Sequence, residues 1–384
     1  MRLIAVSTAL AATLLVGLTA RPLAAQAGSP APAAGKESPS DPAAALASAP
    51  MEAGEGRAVA TKLADDLVQN FVFRDQAEAY AAMLRKNAAA GRYDSGSRGH
   101  VAKLMTDDLQ SVHNDGHLKV MLSDGAQQQG GGVHGGASRN FGPLVQAAKT
   151  IAPGIGYIRF TAFFGSDEEM AAVRNWLAEN KDAKMLIFDL RNHHGGGLDE
   201  QDAIFSYLYS AKTPLVKMAI ADDLYKRRGF PAGDRPTMTV AASDGKMVGT
   251  HYAFPGEDTA LRKAKVYLLT SNRSASAAEH FSLALKSTGR ATLIGEATAG
   301  ANHFGGPQRL NANFAVWMPV GRTYDIKTGK DWEGAGIAPD IEVDPKQALV
   351  VALEKAGLSH EEAVKLDAAE VPAEPVHSDK LRAR

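Results

Sequence analysis

Val266-Tyr267-Leu268-Leu269-Thr270-Ser271-Asn272-Arg273-Ser274-Ala275-Ser276-Ala277-Ala278-Glu279 is the stretch whose reading decides the fold. Its first five residues form a short apolar run bounded by turn residues, the pattern of a strand covered on both faces. A serine-rich loop follows at once, and helical residues begin near Ala277 and extend to about Lys286. Strand, loop and helix in immediate succession are the unit from which α/β proteins are built. The alternation continues outward in both directions. Upstream, 155–160 reads as a strand, 167–179 as an amphipathic helix, and 185–190 as an apolar strand ending in the polar loop 191–197. Downstream, 292–295 is a further strand. Residues 215–256 show weaker periodicity and are expected to hold β structure. No internal repeat is visible.

Ahead of this core the periodicity is helical. Leu63, Leu67 and Phe71 fall on one helix face. Asp75 is placed to cap a second helix carrying Tyr80, Met83 and Leu84, and Val101, Leu104, Met105, Leu109 and Val112 outline a third. Further upstream, Met1 and Arg2 precede an apolar run from Leu3 to Ala20, and Ala25-Gln26-Ala27 offers a small-residue cleavage site. That is the arrangement of a secretory leader; a retained membrane anchor is the alternative reading of the same run. The expected organisation is a signal peptide at 1–27, a disordered Ala/Pro/Ser-rich linker at 28–54, a helical N-terminal domain at 55–113, an α/β core at 114–345, and a C-terminal helix with a polar tail at 346–384.

Composition removes several classes of function. The 384 residues carry 42 Lys+Arg against 43 Asp+Glu, a net charge of -1, so the global basic field of a nucleic-acid binder is missing. There are 0 cysteines. This excludes disulfides, thiolate metal sites, a cysteine nucleophile and a lipid-anchored cysteine.

Four segments can carry chemistry. Ser276 stands where a strand-to-loop connection meets a helix N-terminus, a place where backbone N–H groups favour developing negative charge. Ser276-Ala277-Ala278-Glu279 is also a capping box, and the nucleophile and the cap are compatible roles. The loop Asp189-Leu190-Arg191-Asn192-His193-His194-Gly195-Gly196-Gly197 puts three glycines directly after a strand, where backbone can approach a ligand closely. No phosphate-binding or dinucleotide fingerprint is present. Adjacent His193 and His194 diverge on a loop and lack a zinc-protease spacing, so no metal or other cofactor is expected. His117, in Asp115-Gly116-His117, and Glu333, in Trp332-Glu333-Gly334-Ala335-Gly336-Ile337-Ala338-Pro339-Asp340, are unremarkable singly; a structural histidine and a surface glutamate are the ordinary readings.

Taken in this order, the segments resemble the S41 peptidases, the C-terminal-processing or tail-specific protease family, over about residues 55–345. Ser276-Ala277-Ala278-Glu279 is similar to the family's nucleophile segment, 189–197 to its D-x-R-x-N-x-G-G loop, and 334–340 to its G-x-G-I-x-P-D turn. The resemblance implies an S41-type (ClpP/crotonase-like) α/β core of strands and crossing helices behind a small helical domain. Members that pair the serine with a lysine would place it near Ala301, yet no lysine lies between Lys286 and Lys327. About 35 residues separate His117 from the strand at Ile155, too few for a PDZ domain of ~50 or more. The chain therefore resembles the branch of the tricorn core protease and the interphotoreceptor retinoid-binding protein-like members.

That branch implies Ser276 as nucleophile, His117 as base and Glu333 as the acid that orients the base. It also implies an oxyanion hole from Ala277 and from Gly195 or Gly196. Gly116 stands where tricorn has a serine linking the histidine to the glutamate. The relay is then incomplete, filled by water, or replaced by direct contact of Glu333 with His117. The expected activity is serine endopeptidase cleavage of peptides or proteins outside the cytoplasm, with rates rising through a histidine pKa near 6.5. The rivals are a non-catalytic carrier of hydrophobic ligands on the same scaffold and a tethered interaction module. No nucleic-acid partner and no stable membrane insertion after cleavage are expected.

Overall fold

Buried apolar strands form the centre of the molecule. The computed structural model describes residues 42–123 and 143–376. The expected leader at 1–27, the linker as far as residue 41 and the tail from 377 onward lie outside the described residues.

One sheet has the order β12-β9-β8-β4-β3-β2, from β2 (Val145–Ala152), β3 (Ile155–Phe160), β4 (Met185–Asp189), β8 (Lys265–Thr270), β9 (Thr292–Gly295) and β12 (Ile341–Glu342). All its pairings are parallel except β2 with β3. Every residue of β3 and β4 is buried, because helices cover both faces. On one face pack α5 (Asp167–Glu179), α6 (Asp199–Leu208) and α8 (Ala277–Ser287), through Trp176, Phe205 and Phe281 against Phe160 and Phe188. On the other pack Ala348, Leu349, Ala352 and Leu353 of α9 (Ala348–Lys355) and Ala363 of α10 (His360–Ala369). Ser166 and Glu169 close a capping box at the start of α5. The helix therefore begins where the 3.6-residue periodicity does.

The second sheet has the order β1-β11-β5-β7-β6, with β10 also on β11. It contains β1 (Lys119–Leu122), β5 (Thr213–Ala221), β6 (Met238–Ser243), β7 (Lys246–Ala253), β10 (His303–Arg309) and β11 (Phe314–Asp325). Its pairings are antiparallel. This sheet accounts for most of the poorly periodic stretch 215–256, where β5, β6 and β7 are interrupted by α7 (Asp222–Arg228).

The α/β expectation holds, and a helical N-terminal region is present. Several boundaries change. Helices α2 (Glu55–Asn70), α3 (Arg74–Ala89) and α4 (Arg98–Val112) share one core with β1, β5 and β11, through Leu63, Tyr80 and Met105 beside Val120, Met218 and Val316. They are a layer of the main unit and not a domain apart. Helix α3 starts at Arg74 after Phe73, so Asp75 lies inside the first turn and does not cap it. The linker assignment fails over 42–54. A short helix, α1 (Pro42–Ser48), forms there, Arg98 N–H donates to Ala49 C=O, and Met51 N–H donates to Gly96 C=O. Backbone partners from the α4 entrance replace the hydrophobic burial this segment lacks. The C-terminal region holds two helices where one was expected.

Candidate active site

The loops that leave β4 and β8 at their carboxyl ends are stitched together, the usual place for a site in a parallel sheet. Asp189, the last residue of β4, is buried and takes Arg191 Nε at 2.9 Å, Arg191 Nη2 at 2.7 Å and Tyr157 Oη at 2.7 Å. Burial alone would raise its pKa, but the Arg191 and Arg159 guanidiniums hold it below the usual carboxylate range. Arg191 also reaches Pro345 C=O at 2.8 Å. The D-x-R motif is thus a structural clamp beneath the glycine loop.

Ser271 and Ser274 join that loop to the one after β8. Ser271 Oγ donates to Arg191 C=O, Ser274 Oγ donates to Leu190 C=O at 2.7 Å, and Ala275 N–H donates to His193 C=O at 2.9 Å. The result sets Ser276 against Gly195, where an added Cβ would lie 2.9 Å from Ser276 Cβ. Ser276 has φ 55 and ψ -111, in the left-handed half of the backbone map that non-glycine residues avoid. Such strain persists only where the surroundings enforce it, and it gathers at functional sites.

Glu279 enforces it. One carboxylate oxygen accepts the N–H groups of Ser276 and Ala301, both at 2.8 Å. The other accepts Thr298 Oγ1 at 2.6 Å and Gly300 N–H at 2.7 Å. Burial pushes the Glu279 pKa up to about 7 even against these four donors. Ser276 and Glu279 stand in a capping-box arrangement, with the Glu279 N–H donating to the Ser276 backbone carbonyl at 2.8 Å. The N–H groups of Ala277 and Gly196 have no partner among the described residues. Gly195 does not share this freedom, because its N–H donates to His193 Nδ1 at 3.1 Å. The Gly195 N–H is therefore engaged within its own loop, which leaves the N–H groups of Gly196 and Ala277 as the free ones among the three candidate donors. Burial drives the His193 pKa down to about 3, so this ring is a neutral structural acceptor. Gly196, Ser276, Ala277, His280, Ala301 and Asn302 line one wall of a cavity of about 580 Å³. Ala301, at the family's lysine position, thus sits in the same wall as Ser276.

Glu333 lies in a second cluster. Its Oε1 accepts Gly116 N–H at 3.3 Å, and its Oε2 accepts Asn302 N–H at 2.7 Å and His303 N–H at 3.2 Å. His303 Nδ1 bonds Asp115 Oδ2 at 2.7 Å and stands 3.7 Å from Glu333 Oε2. Burial opposes protonation of His303, but the Asp115 hydrogen bond and the two carboxylate charges outweigh it and raise its pKa. Asp115 Oδ1 accepts His117 N–H at 2.9 Å. The His117 ring stacks on Trp317, its Nδ1 is buried without a partner, and burial lowers its pKa to about 4.

No hydrogen bond joins His117 to Ser276 or to Glu333 among the described residues. Of the three alternatives for the relay, direct contact of Glu333 with His117 does not occur; the carboxylate is taken by three N–H groups, and one of them, Gly116 N–H, links it to the backbone beside His117. His303 was missed. The only local signal for it was a histidine two residues beyond the vacant lysine position. Asp115, His303 and Glu333 offer ligand atoms within 4.8 Å of one another, a spacing that can hold a cation, although the hydrogen bonds just described already satisfy them.

Residues 154–343 match the family model for peptidase family S41. Among solved structures, a candidate peptidase from Parabacteroides merdae is 18% identical, with a TM-score of 0.54, covering 79% of this chain and 97% of that one. A lipoprotein from Streptococcus agalactiae is 16% identical, with a TM-score of 0.51 and coverage of 79% and 97%. A photosystem II D1 C-terminal processing protease is 14% identical, with a TM-score of 0.48 and coverage of 76% and 93%. The first two likenesses concern the fold alone.

Proposed function

This chain belongs to peptidase family S41 through its residues 154–343, and from that premise we propose that it is a serine peptidase hydrolysing peptide or protein substrates through an acyl-enzyme on Ser276. The observation that carries the reading is the state of Ser276. It is held at positive φ, lining the cavity that is also lined by Gly196 and Ala277, whose N–H groups have no partner among the described residues. Attack by Oγ on a carbonyl carbon places the new oxyanion at those donors. His117 takes the Oγ proton when substrate fills the cavity, the stage at which catalytic hydrogen bonds commonly tighten, and then gives it to the leaving amine. Water releases the acyl group by the same route. Glu333 contributes by pinning the Gly116 backbone, and with it the loop that carries His117. Export is part of this reading and rests on the leader sequence. Among the described residues no helix is long and apolar enough to cross a membrane.

Labelling with a fluorophosphonate tests the reading. The unmutated chain is expected to react, Ser276→Ala to be inert, and His117→Ala to react about 10²–10⁴-fold more slowly. A folded, unmutated chain that does not label would overturn the peptidase reading and leave a carrier of apolar ligands on this scaffold.

The pH dependence differs from the value near 6.5 that an ordinary histidine predicts. With the His117 pKa lowered to about 4, the neutral base is present throughout the physiological range. The labelling rate is expected to rise as pH increases through about 4 and to be flat between about 5.5 and 8. A rise centred near 6.5 would show that the His117 pKa is not lowered when the enzyme works, and a rate that does not change from about pH 3 to 8 would remove a histidine base.

Gly116→Ser tests the backbone link. A Cβ at Gly116 would sit 3.8 Å from Glu333 Oε1, with nothing nearer, so a serine fits and its hydroxyl can bond the carboxylate. One added hydrogen bond of about 1 kcal/mol predicts an increase in labelling rate of about fivefold. An unchanged or lower rate would show that the glutamate does not act through this loop.

A further inference from the structure

A second chain of titratable groups reaches the cavity beside Ser276 through His280. Asp202 Oδ1 lies 2.7 Å from His251 Nε2, and His251 Nδ1 lies 2.8 Å from His280 Nε2. His251 and His280 are both more than nine-tenths buried. Asp202 is further held by Arg235 Nη1 at 2.7 Å and Thr237 Oγ1 at 2.9 Å. These contacts fix the proton positions when both rings are neutral. A carboxylate only accepts, so His251 carries its proton on Nε2 and presents a bare Nδ1. His280 must then carry its proton on Nε2 to bond that nitrogen. What remains is the lone pair on His280 Nδ1.

That atom has no protein partner among the described residues. It is also not among the polar atoms sealed from solvent without one, and His280 lines the cavity. His280 stands one turn along α8 from Ser276, and its N–H donates to Ser276 C=O. The remaining walls are largely apolar, with Leu198, Met218, Leu224, Phe230, Val320 and Trp332. Arg228 also lines the cavity and disfavours a cationic occupant, while Arg235, another lining residue, is paired with Asp199 and Asp202.

We propose that the Asp202–His251–His280 chain makes the cavity beside Ser276 a subsite for a neutral substrate side chain with an apolar body and an O–H donor, of which tyrosine is the fit. The proposal rests on the peptidase reading for its substrate class. The mechanism described above uses none of the three residues. A buried acceptor left unpaired by the wrong side chain discriminates far more strongly than a missing methylene does. Tyrosine and phenylalanine differ at that one point.

The test is binding, so it stands independently of turnover. Full-length Ser276→Ala protein is titrated by calorimetry with N-acetyl-tyrosinamide and with N-acetyl-phenylalaninamide. The tyrosine compound is expected to bind at least tenfold more tightly, and His280→Phe is expected to abolish the difference. A second measurement needs no change in the wall. In Ser276→Ala protein labelled with ¹⁵N-histidine, the His280 Nδ1 signal is expected to move upfield from its bare-acceptor position with the tyrosine compound only. Equal affinities, no binding of either compound, a preference that survives His280→Phe, or an unmoved Nδ1 signal would each overturn the subsite. A chain inert to fluorophosphonate that still prefers tyrosine would overturn the peptidase reading and leave the subsite standing.

Discussion

Gly196→Ala is expected to lower the fluorophosphonate labelling rate by at least a hundredfold. Gly196 has φ 131, and a Cβ there would lie 1.9 Å from Phe163 C=O, a backbone atom with no freedom to retreat. Phe163 is itself locked, because its N–H donates to Gly195 C=O at 2.9 Å and its C=O accepts Gly197 N–H at 2.6 Å. The alanine must therefore displace the glycine loop and carry the Gly196 N–H away from Ser276. Removal of one oxyanion donor costs about 10²–10³ in rate, or about 3–4 kcal/mol of transition-state stabilisation. The strained backbone adds on the order of 1–3 kcal/mol to the cost of folding. Labelling kinetics and a thermal melt on the same variant separate the two effects. A near-normal labelling rate would mean that the oxyanion is held elsewhere.

The second large effect is at Glu279. Glu279→Gln keeps the shape of the side chain and replaces one acceptor oxygen with an NH₂ group. Whichever way the amide turns, that group faces two donors, either Ser276 and Ala301 N–H or Thr298 Oγ1 and Gly300 N–H. Threonine can rotate its hydroxyl away, but a backbone N–H cannot. At least one buried backbone donor is left unsatisfied, at about 1–3 kcal/mol each, and a charge-assisted network becomes a neutral one. The expected loss of stability is about 3 kcal/mol. The labelling rate should fall more steeply than the melt alone implies, since Ser276 loses what holds it at positive φ. Glu279→Gln with normal labelling would show that the Ser276 conformation is set by the Ser271 and Ser274 contacts alone.

The parallel sheet was legible because its strands are buried on both faces and are therefore apolar without interruption. The runs at 155–160, 185–190 and 266–270 match β3, β4 and β8 to within a residue, and 167–179 matches α5 because Ser166 and Glu169 mark its start. The antiparallel sheet was legible only as unassigned β structure over 215–256. β6 and β7 are only partly covered, so neither alternation nor a continuous apolar run is complete. At the site, Ser276 and the glycine loop drew attention because each stands in a compact local motif, whereas Glu333 was singled out by the family resemblance alone. The Asp115–His303 pair was not, since it joins positions 188 residues apart, and neither member sits in a pattern that announces the other. Nor did local sequence reveal that Gly195 spends its N–H on His193. That follows from a ring fold-back that only the three-dimensional loop makes visible.

The clamp beneath the glycine loop also bears on the order in which the molecule is made. Arg191 is braced by the carbonyl of Pro345, Arg159 donates to the carbonyl of Glu370 at 3.2 Å, and Asn192 donates to the carbonyl of Glu374 at 2.7 Å. Synthesis runs from the amino end, so the glycine loop and Ser276 exist as sequence well before these braces do. A nascent chain that has emerged only through α8 contains Ser276 but lacks the struts under the loop that faces it. The geometry of the glycine loop therefore depends on chain as distant as residue 374, and a C-terminal truncation before Pro345 would remove all three braces at once.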